Sequence, residues 1–265
     1  MLQELKLVGI HQILEGGSTY PLLINAQCQN KEIKQYVLKT YQENFVAQNY
    51  TVAKEILCCQ MASEFDLPVP EYAIINFDHS ALTKHYDLVK ISTLDKGFKF
   101  CSEYHMGALD FNRFVPNAYL KSYEIENVFA FDNIVLNVDR GNKIKKTNLL
   151  ILDNEMLLID HELTFPFIDN RSNGMDIDYK SKFSSYDHSK HIFTDVLRRS
   201  NKKDLMFDEF HEYLKAINLD KFDTIINDFD SFNIEYGEKN RIFDYFVWLK
   251  KERDFVCKKL KERIL

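Results

Sequence analysis

Five side chains, far apart along the chain, carry the chemistry this sequence could perform: Lys39, Glu55, Asp139, Asn148 and Asp160. Lys39 closes a run of otherwise uncharged, strand-forming residues, and Glu55 follows on a helical stretch. Asp139 comes after a second helical stretch, Asn148 lies nine residues beyond it, and Asp160 directly follows the apolar run at 156–159. A phosphoryl-transfer site requires residues of these types. A γ-phosphoryl group in transit spreads negative charge over its oxygens, so the site must supply cations and hold them still. A lysine can pair with nucleotide phosphates, and a glutamate on a neighbouring helix can hold that lysine in place. One aspartate can orient the attacking hydroxyl. A second aspartate and an asparagine oxygen suit Mg2+, which takes hard oxygen donors in rigid octahedral geometry.

Taken singly, each residue has a plainer reading. Lys39 reads as a solvated strand-end lysine and Glu55 as a helix-surface carboxylate. Asp139 and Asn148 read as turn residues satisfying local backbone donors. Asp160 resists this treatment, because an aspartate ending an apolar strand is costly to bury unless a cation meets it. The order of all five points to one site. His161 would pack beside Asp160 or bond to the backbone. His188 and His191 have a spacing that suits metal ligands on a helix, but no nearby Cys or third His joins them, so they read as surface histidines. Ser18 and Thr19 read as turn hydroxyls, or as groups that approach the γ-phosphate or are themselves phosphorylated. Lys143, Lys145 and Lys146 read as a solvated loop, or as an attraction for an anionic substrate.

The elements that must position these groups follow from local pattern. Residues 4–10, 22–24 and 36–41 form a small antiparallel meander, broken by the Gly16, Gly17 and Pro21 turn and by the polar turn at 30–32. Thr51 is the expected N-cap of a helix to about Phe65, which stops at Pro68 and Pro70 because neither can continue it. Strands are expected at 72–75, 87–91 and 98–104. Residues 123–137 read as a helix. The apolar runs at 148–152 and 155–159, separated by Asp153 and Asn154, form a hairpin that would return Asn148 and Asp160 to one cleft. The last third is helical, with Ile242, Phe246, Leu249, Val256, Leu260 and Ile264 along one stripe.

The chain has 265 residues, enough for one large domain or two parts sharing a cleft. Its net charge of −6 argues against a grip on duplex DNA or an anionic membrane surface. The 21 phenylalanines predict an aromatic core. Five cysteines without a C-x-x-C read as reduced, buried thiols, and no basic leader or membrane-length apolar run stands out, so a cytoplasmic protein is expected.

One block of the sequence resembles the HipA-like kinases. It runs Phe131-Asp132, then Asn137, Asp139-Arg140, then Asn148-Leu149-Leu150, then Ile159-Asp160-His161. Upstream, Lys54-Glu55 through Asp66-Leu67-Pro68-Val69-Pro70 is similar to that family's helix and following segment. Gly97-Phe98 to Ser102-Glu103-Tyr104 is similar to its hinge, and Gly17-Ser18-Thr19-Tyr20-Pro21 to its phosphate-covering loop. The resemblance spans roughly residues 9–165. It implies a bilobal α+β kinase-like fold, with a β-rich N-lobe at 1–104 and a mainly helical C-lobe at 105–265. It implies ATP and Mg2+ as cofactors, Asp139 as the catalytic aspartate, and Asn148 and Asp160 as metal ligands. Lys39 would contact the nucleotide phosphates and pair with Glu55, Gly17, Ser18 and Thr19 would cover the phosphates, and Ser102, Glu103 and Tyr104 would meet the adenine. The sequence departs from the pattern in three ways. The loop between Asp139 and Asn148 is long, which makes Asn142 a competing ligand. Gly141 stands where a histidine often follows Asp-Arg, and the phosphate loop has only Gly16 and Gly17. The expected activity is phosphoryl transfer to a Ser or Thr of a protein acceptor. The alternatives are a small-molecule or lipid-headgroup kinase, or a pseudokinase that binds nucleotide without turnover.

Overall fold

The computed structural model describes residues 2–15, 20–112, 114–120, 122–141, 146–201 and 205–265. Gly16, Gly17, Ser18, Thr19, Asn142, Lys143 and Lys145 lie outside the described residues.

The N-terminal part is β-rich. Strands β1 (Glu4–Ile13), β2 (Leu22–Gln27) and β3 (Ile33–Leu38) form the expected meander. With β4 (Tyr72–Ile75) and β5 (Lys99–Glu103) they close a five-stranded barrel in the order β1-β2-β3-β5-β4, sealed by a parallel β1–β4 pairing. Alternation sends Leu5, Leu22, Ile24, Ala26, Tyr36, Leu38 and Cys101 into the barrel interior. Leu38 pairs with Cys101, and the Lys39 amide donates to Phe100 O at 3.2 Å, which fixes Lys39 at the end of the barrel.

Helices α1 (Glu43–Asn49) and α2 (Thr51–Glu64) follow β3. Thr51 is the first residue of α2 and not its cap. Tyr50, in a left-handed conformation with φ 50°, occupies the cap position, and no side chain caps the helix there. The stretch expected as a strand at 87–91 is helical: α3 covers Leu88–Thr93, and the Asp87 carboxylate caps it by accepting from the Lys90 amide at 2.7 Å. An N-cap carboxylate overrides the β-branched character of Val89 and Ile91.

Beyond residue 104 the chain is mainly helical. Short strand β6 (Leu109–Asp110) joins the hairpin β7 (Leu149–Leu152) and β8 (Glu155–Leu158) in a three-stranded sheet. Helices α4 (Asn117–Leu120) and α5 (Ile125–Ile134) precede that hairpin, so α5 is shorter than the helix expected at 123–137. Helices α6 (Tyr179–Ser184), α7 (Thr194–Arg198), α8 (Asp208–Ala216), α9 (Leu219–Phe232), α10 (Lys239–Lys251) and α11 (Arg253–Arg263) complete the chain. The single C-terminal stripe is therefore two helices, parted at Glu252.

The larger core is aromatic, with contacts such as Phe167–Tyr245 at 4.5 Å and Phe222–Phe246 at 4.1 Å between ring centroids. It does not stop at the end of β5. The apolar residues of α2, with Ile74 and Phe100, belong to it rather than to the barrel interior. All five cysteines are free and buried.

Candidate functional site

Helix α5 ends against two tyrosines. The Tyr245 hydroxyl donates to Ile134 O and the Tyr186 hydroxyl to Asn137 O. Those bonds satisfy carbonyls that a helix end leaves open, and Leu136 turns the chain with φ 54°. The loop that follows is organised around one buried carboxylate. Asp132 accepts from Arg140 Nε at 2.8 Å, Arg140 Nη2 at 3.2 Å and Asn137 Nδ2 at 2.8 Å, and it pairs with His191 Nε2 at 2.9 Å. Burial opposes its charge, yet the Arg140 guanidinium and His191 hold its carboxyl below the usual range. His191 is therefore a buried partner of the loop that follows α5 and not a surface histidine.

Arg140 also donates Nη1 to Asn148 O and to Ile159 O, the latter at 3.1 Å, which clamps the base of the β7–β8 hairpin. The Leu149↔Leu158 register sets Asn148 opposite Ile159, with Asp160 one residue further. Asn148 and Asp160 both adopt left-handed backbone, φ 52° and 65°, a region that Asn and Asp tolerate better than most side chains. Asn148 Nδ2 donates to Asp139 Oδ2 at 3.2 Å and to Asp139 O at 3.1 Å, which leaves its oxygen for another partner. Asp139 is thus joined to the hairpin base.

Lys39 is buried, not solvated. Its ammonium pairs with Glu55 Oε1 and, at 2.7 Å, with Asp160 Oδ1. Burial works against that charge, but Asp160 and Glu55 outweigh it and raise the lysine pKa. Burial likewise opposes the charge on Asp160, and Lys39 overrides it and holds the carboxyl low. Glu55 is fully buried and not a surface carboxylate. It accepts from the Tyr41 hydroxyl at 3.2 Å and from the His161 amide at 2.9 Å. The His161 ring is buried too, and burial with the Arg140 charge pushes its pKa down to about 3, so it is neutral.

Lys39, Glu55, Ser102, Glu103, Tyr104, Asn148 and Asp160 share the wall of one cavity of about 900 Å3. The Glu103 and Tyr104 amides are already donated, to Glu71 O at 2.7 Å and Gln35 O at 2.9 Å, so both are committed within the protein. The sequence reading missed Glu162. Its carboxylate lies with those of Glu55 and Asp160, ligand atoms within 4.8 Å of one another. Burial, reinforced by the Asp160 and Glu55 charges, pushes its pKa up to about 7. Three carboxylates facing one lysine, with the Asn148 oxygen nearby, form a hard, electron-rich donor set that fits a divalent cation such as Mg2+. The only signal in the sequence was a third acidic residue two positions after Asp160.

The family model of the HipA-like kinases matches residues 7–229. Among solved structures, the chain is similar to the crystal structure of a Helicobacter pylori proinflammatory kinase, CtkA. The two share 13% sequence identity over 91% of this chain and 92% of that chain, with a TM-score of 0.43. No curated protein matches the chain in sequence.

Proposed function

This chain belongs to the HipA-like kinase family, and from that premise we propose that it transfers the γ-phosphoryl group of ATP, with Mg2+, to a Ser or Thr hydroxyl of a protein acceptor. The observation that carries the proposal is the convergence of Lys39, Asp160 and Asn148 in the wall of a single cavity, with Asp139 bonded to Asn148 just outside that lining. In this reading the chain is bilobal, with lobes at 1–104 and 105–265 and the nucleotide between them.

Lys39, held by Glu55, meets the phosphates, and the strand backbone at 102–104 meets the adenine. Asp160 and Asn148 hold Mg2+, with Glu162 adding negative charge beside them. The bound ion neutralises phosphate charge. Asp139 orients the acceptor hydroxyl and takes its proton as the new P–O bond forms. The bond between the γ-phosphorus and the bridging oxygen breaks, and ADP leaves with the electron pair. The family resemblance favours a protein acceptor. Five free, buried cysteines favour a reducing, cytoplasmic setting, and no helix among the described residues is long and apolar enough to cross a membrane.

The test is ATP turnover with labelled ATP against cell protein, small alcohols and lipid headgroups, in wild type and Asp139→Asn. Transfer to protein that vanishes in Asp139→Asn, with nucleotide binding kept, supports the proposal. Transfer only to small acceptors replaces the protein acceptor with a small one. Equal, negligible turnover in both proteins overturns the enzyme and leaves a nucleotide-binding pseudokinase.

A further inference from the structure

Helix α2 carries two ionisable residues side by side, Lys54 and Glu55, and both are buried. Each is matched to the same stretch of chain, residues 160–169. Glu55 accepts from the His161 amide at 2.9 Å and pairs with Lys39. Lys54 pairs with Asp169 Oδ1, and both of those side chains are almost wholly enclosed. One turn further along α2, Cys58 Sγ donates to Thr164 Oγ1 at 3.2 Å, and that hydroxyl donates in turn to His161 O at 2.7 Å. The segment that begins with Asp160 is therefore stitched to one helix at three levels.

Such a pair is a poor stabiliser, because burying two charges costs solvation that their attraction barely returns. What it supplies is direction. The apolar residues of α2 lie all around its circumference, from Val52 and Ala53 to Ile56, Leu57, Met61 and Ala62. Apolar burial alone would leave the rotation of such a helix loosely set. Neighbouring residues point about 100° apart on a helix. A rotation by one residue would face either Lys54 towards Lys39 or Glu55 towards Asp169, according to its sense, and either outcome places like charges together. The adjacent opposite charges admit one rotation only.

We propose that Lys54 and Asp169 are positioning residues for nucleotide binding: they set the rotation of α2 so that Glu55 presents its carboxylate to Lys39. The proposal rests on the phosphate-binding role given to Lys39 above.

The test compares Lys54→Met, Asp169→Asn and Lys54→Arg with Leu260→Ala, a cavity variant in α11 within the same core. Melting temperature and equilibrium affinity for a fluorescent ATP analogue are measured at a temperature where every variant is folded. Lys54→Met and Asp169→Asn weaken the affinity about tenfold. Lys54→Arg, which keeps the charge, returns it to within about twofold, and Leu260→Ala melts earlier without losing affinity. In a Lys39→Ala background, adding Asp169→Asn changes affinity by less than about twofold, because the route through Lys39 is gone. Undiminished affinity in folded Lys54→Met and Asp169→Asn overturns the proposal, and so does an undiminished further loss in the Lys39→Ala background. If the neutral variants do not fold, Asp169→Glu moves the charge by one methylene. Weaker affinity at an unchanged melting temperature then supports the inference, and unchanged affinity overturns it. A wild-type protein that binds no nucleotide sinks the kinase reading first and this inference with it.

Discussion

Asp132→Asn is the most demanding perturbation of the loop that follows α5. The substitution keeps the size of the side chain and removes only its charge. Arg140, whose side chain is fully enclosed, then loses its ionic partner and keeps only neutral acceptors, the new amide oxygen and the carbonyls of Asn148 and Ile159. Breaking a buried ion pair from one side costs about 3–5 kcal/mol, because it strands the remaining charge. In a chain of this size each kcal/mol moves the melting temperature by about 2–3 °C, so a fall of about 6–15 °C is expected. Calorimetry at neutral pH reads it directly. The same change loosens the loop that carries Asp139, and displacing a reacting group by about 1 Å can cost about a hundredfold in rate. Turnover measured well below the melting transition should therefore fall even where the protein is folded. A melting temperature within about 2 °C of wild type would refute the reasoning, because the Asp132 carboxylate would then not be neutralising a buried guanidinium.

Two further outcomes follow from the same geometry. The His161 pKa is lowered, so the folded state binds fewer protons than the unfolded state. Stability is therefore full above the unfolded value of about 6.5 and is lost as pH falls towards about 3. By pH 5 the loss amounts to about 2 kcal/mol, so the unfolding free energy from denaturant titrations should fall between pH 7 and pH 5 by about that much more in wild type than in His161→Phe. An equal fall in the two proteins would mean that the ring is not held neutral. Gly237 has φ 81°, and a Cβ there would meet Ile168 O at 2.8 Å and the Tyr50 ring at 3.1 Å. Gly237→Ala should cost about 1–3 kcal/mol by denaturant titration, and a variant as stable as wild type would contradict the packing described.

What the sequence reveals depends on how far a signal travels along the chain. The hairpin was legible because Asp153 and Asn154 sit between two short apolar runs, so turn chemistry and register are local facts. The meeting of Asn148 and Asp160 in one cavity was legible because that hairpin returns the chain, whereas Asp139 joins them through the Asn148 side chain. Residues 87–91 misled because Leu88, Val89 and Ile91 suit a strand, while the decisive contact is a single Asp87 side-chain bond to the Lys90 amide. His191 and the Lys54–Asp169 pair were not legible at all. Each joins residues 59 or 115 positions apart, and nothing near a lone histidine or lysine says what it will meet. Glu162 lay in plain view beside Asp160 and His161, but only the folded chain brings Glu55 close enough to make it a third carboxylate.

The shared core around α2 has a practical consequence for anyone dividing the molecule. A fragment ending after β5 would keep the barrel interior but leave α2, Ile74 and Phe100 facing water. That piece should expose enough oily surface to aggregate on expression rather than form an autonomous folding unit. In native-state hydrogen exchange, the amides of α2 should open together with those of α5 and α10, and not with the barrel strands that precede α2 in the chain.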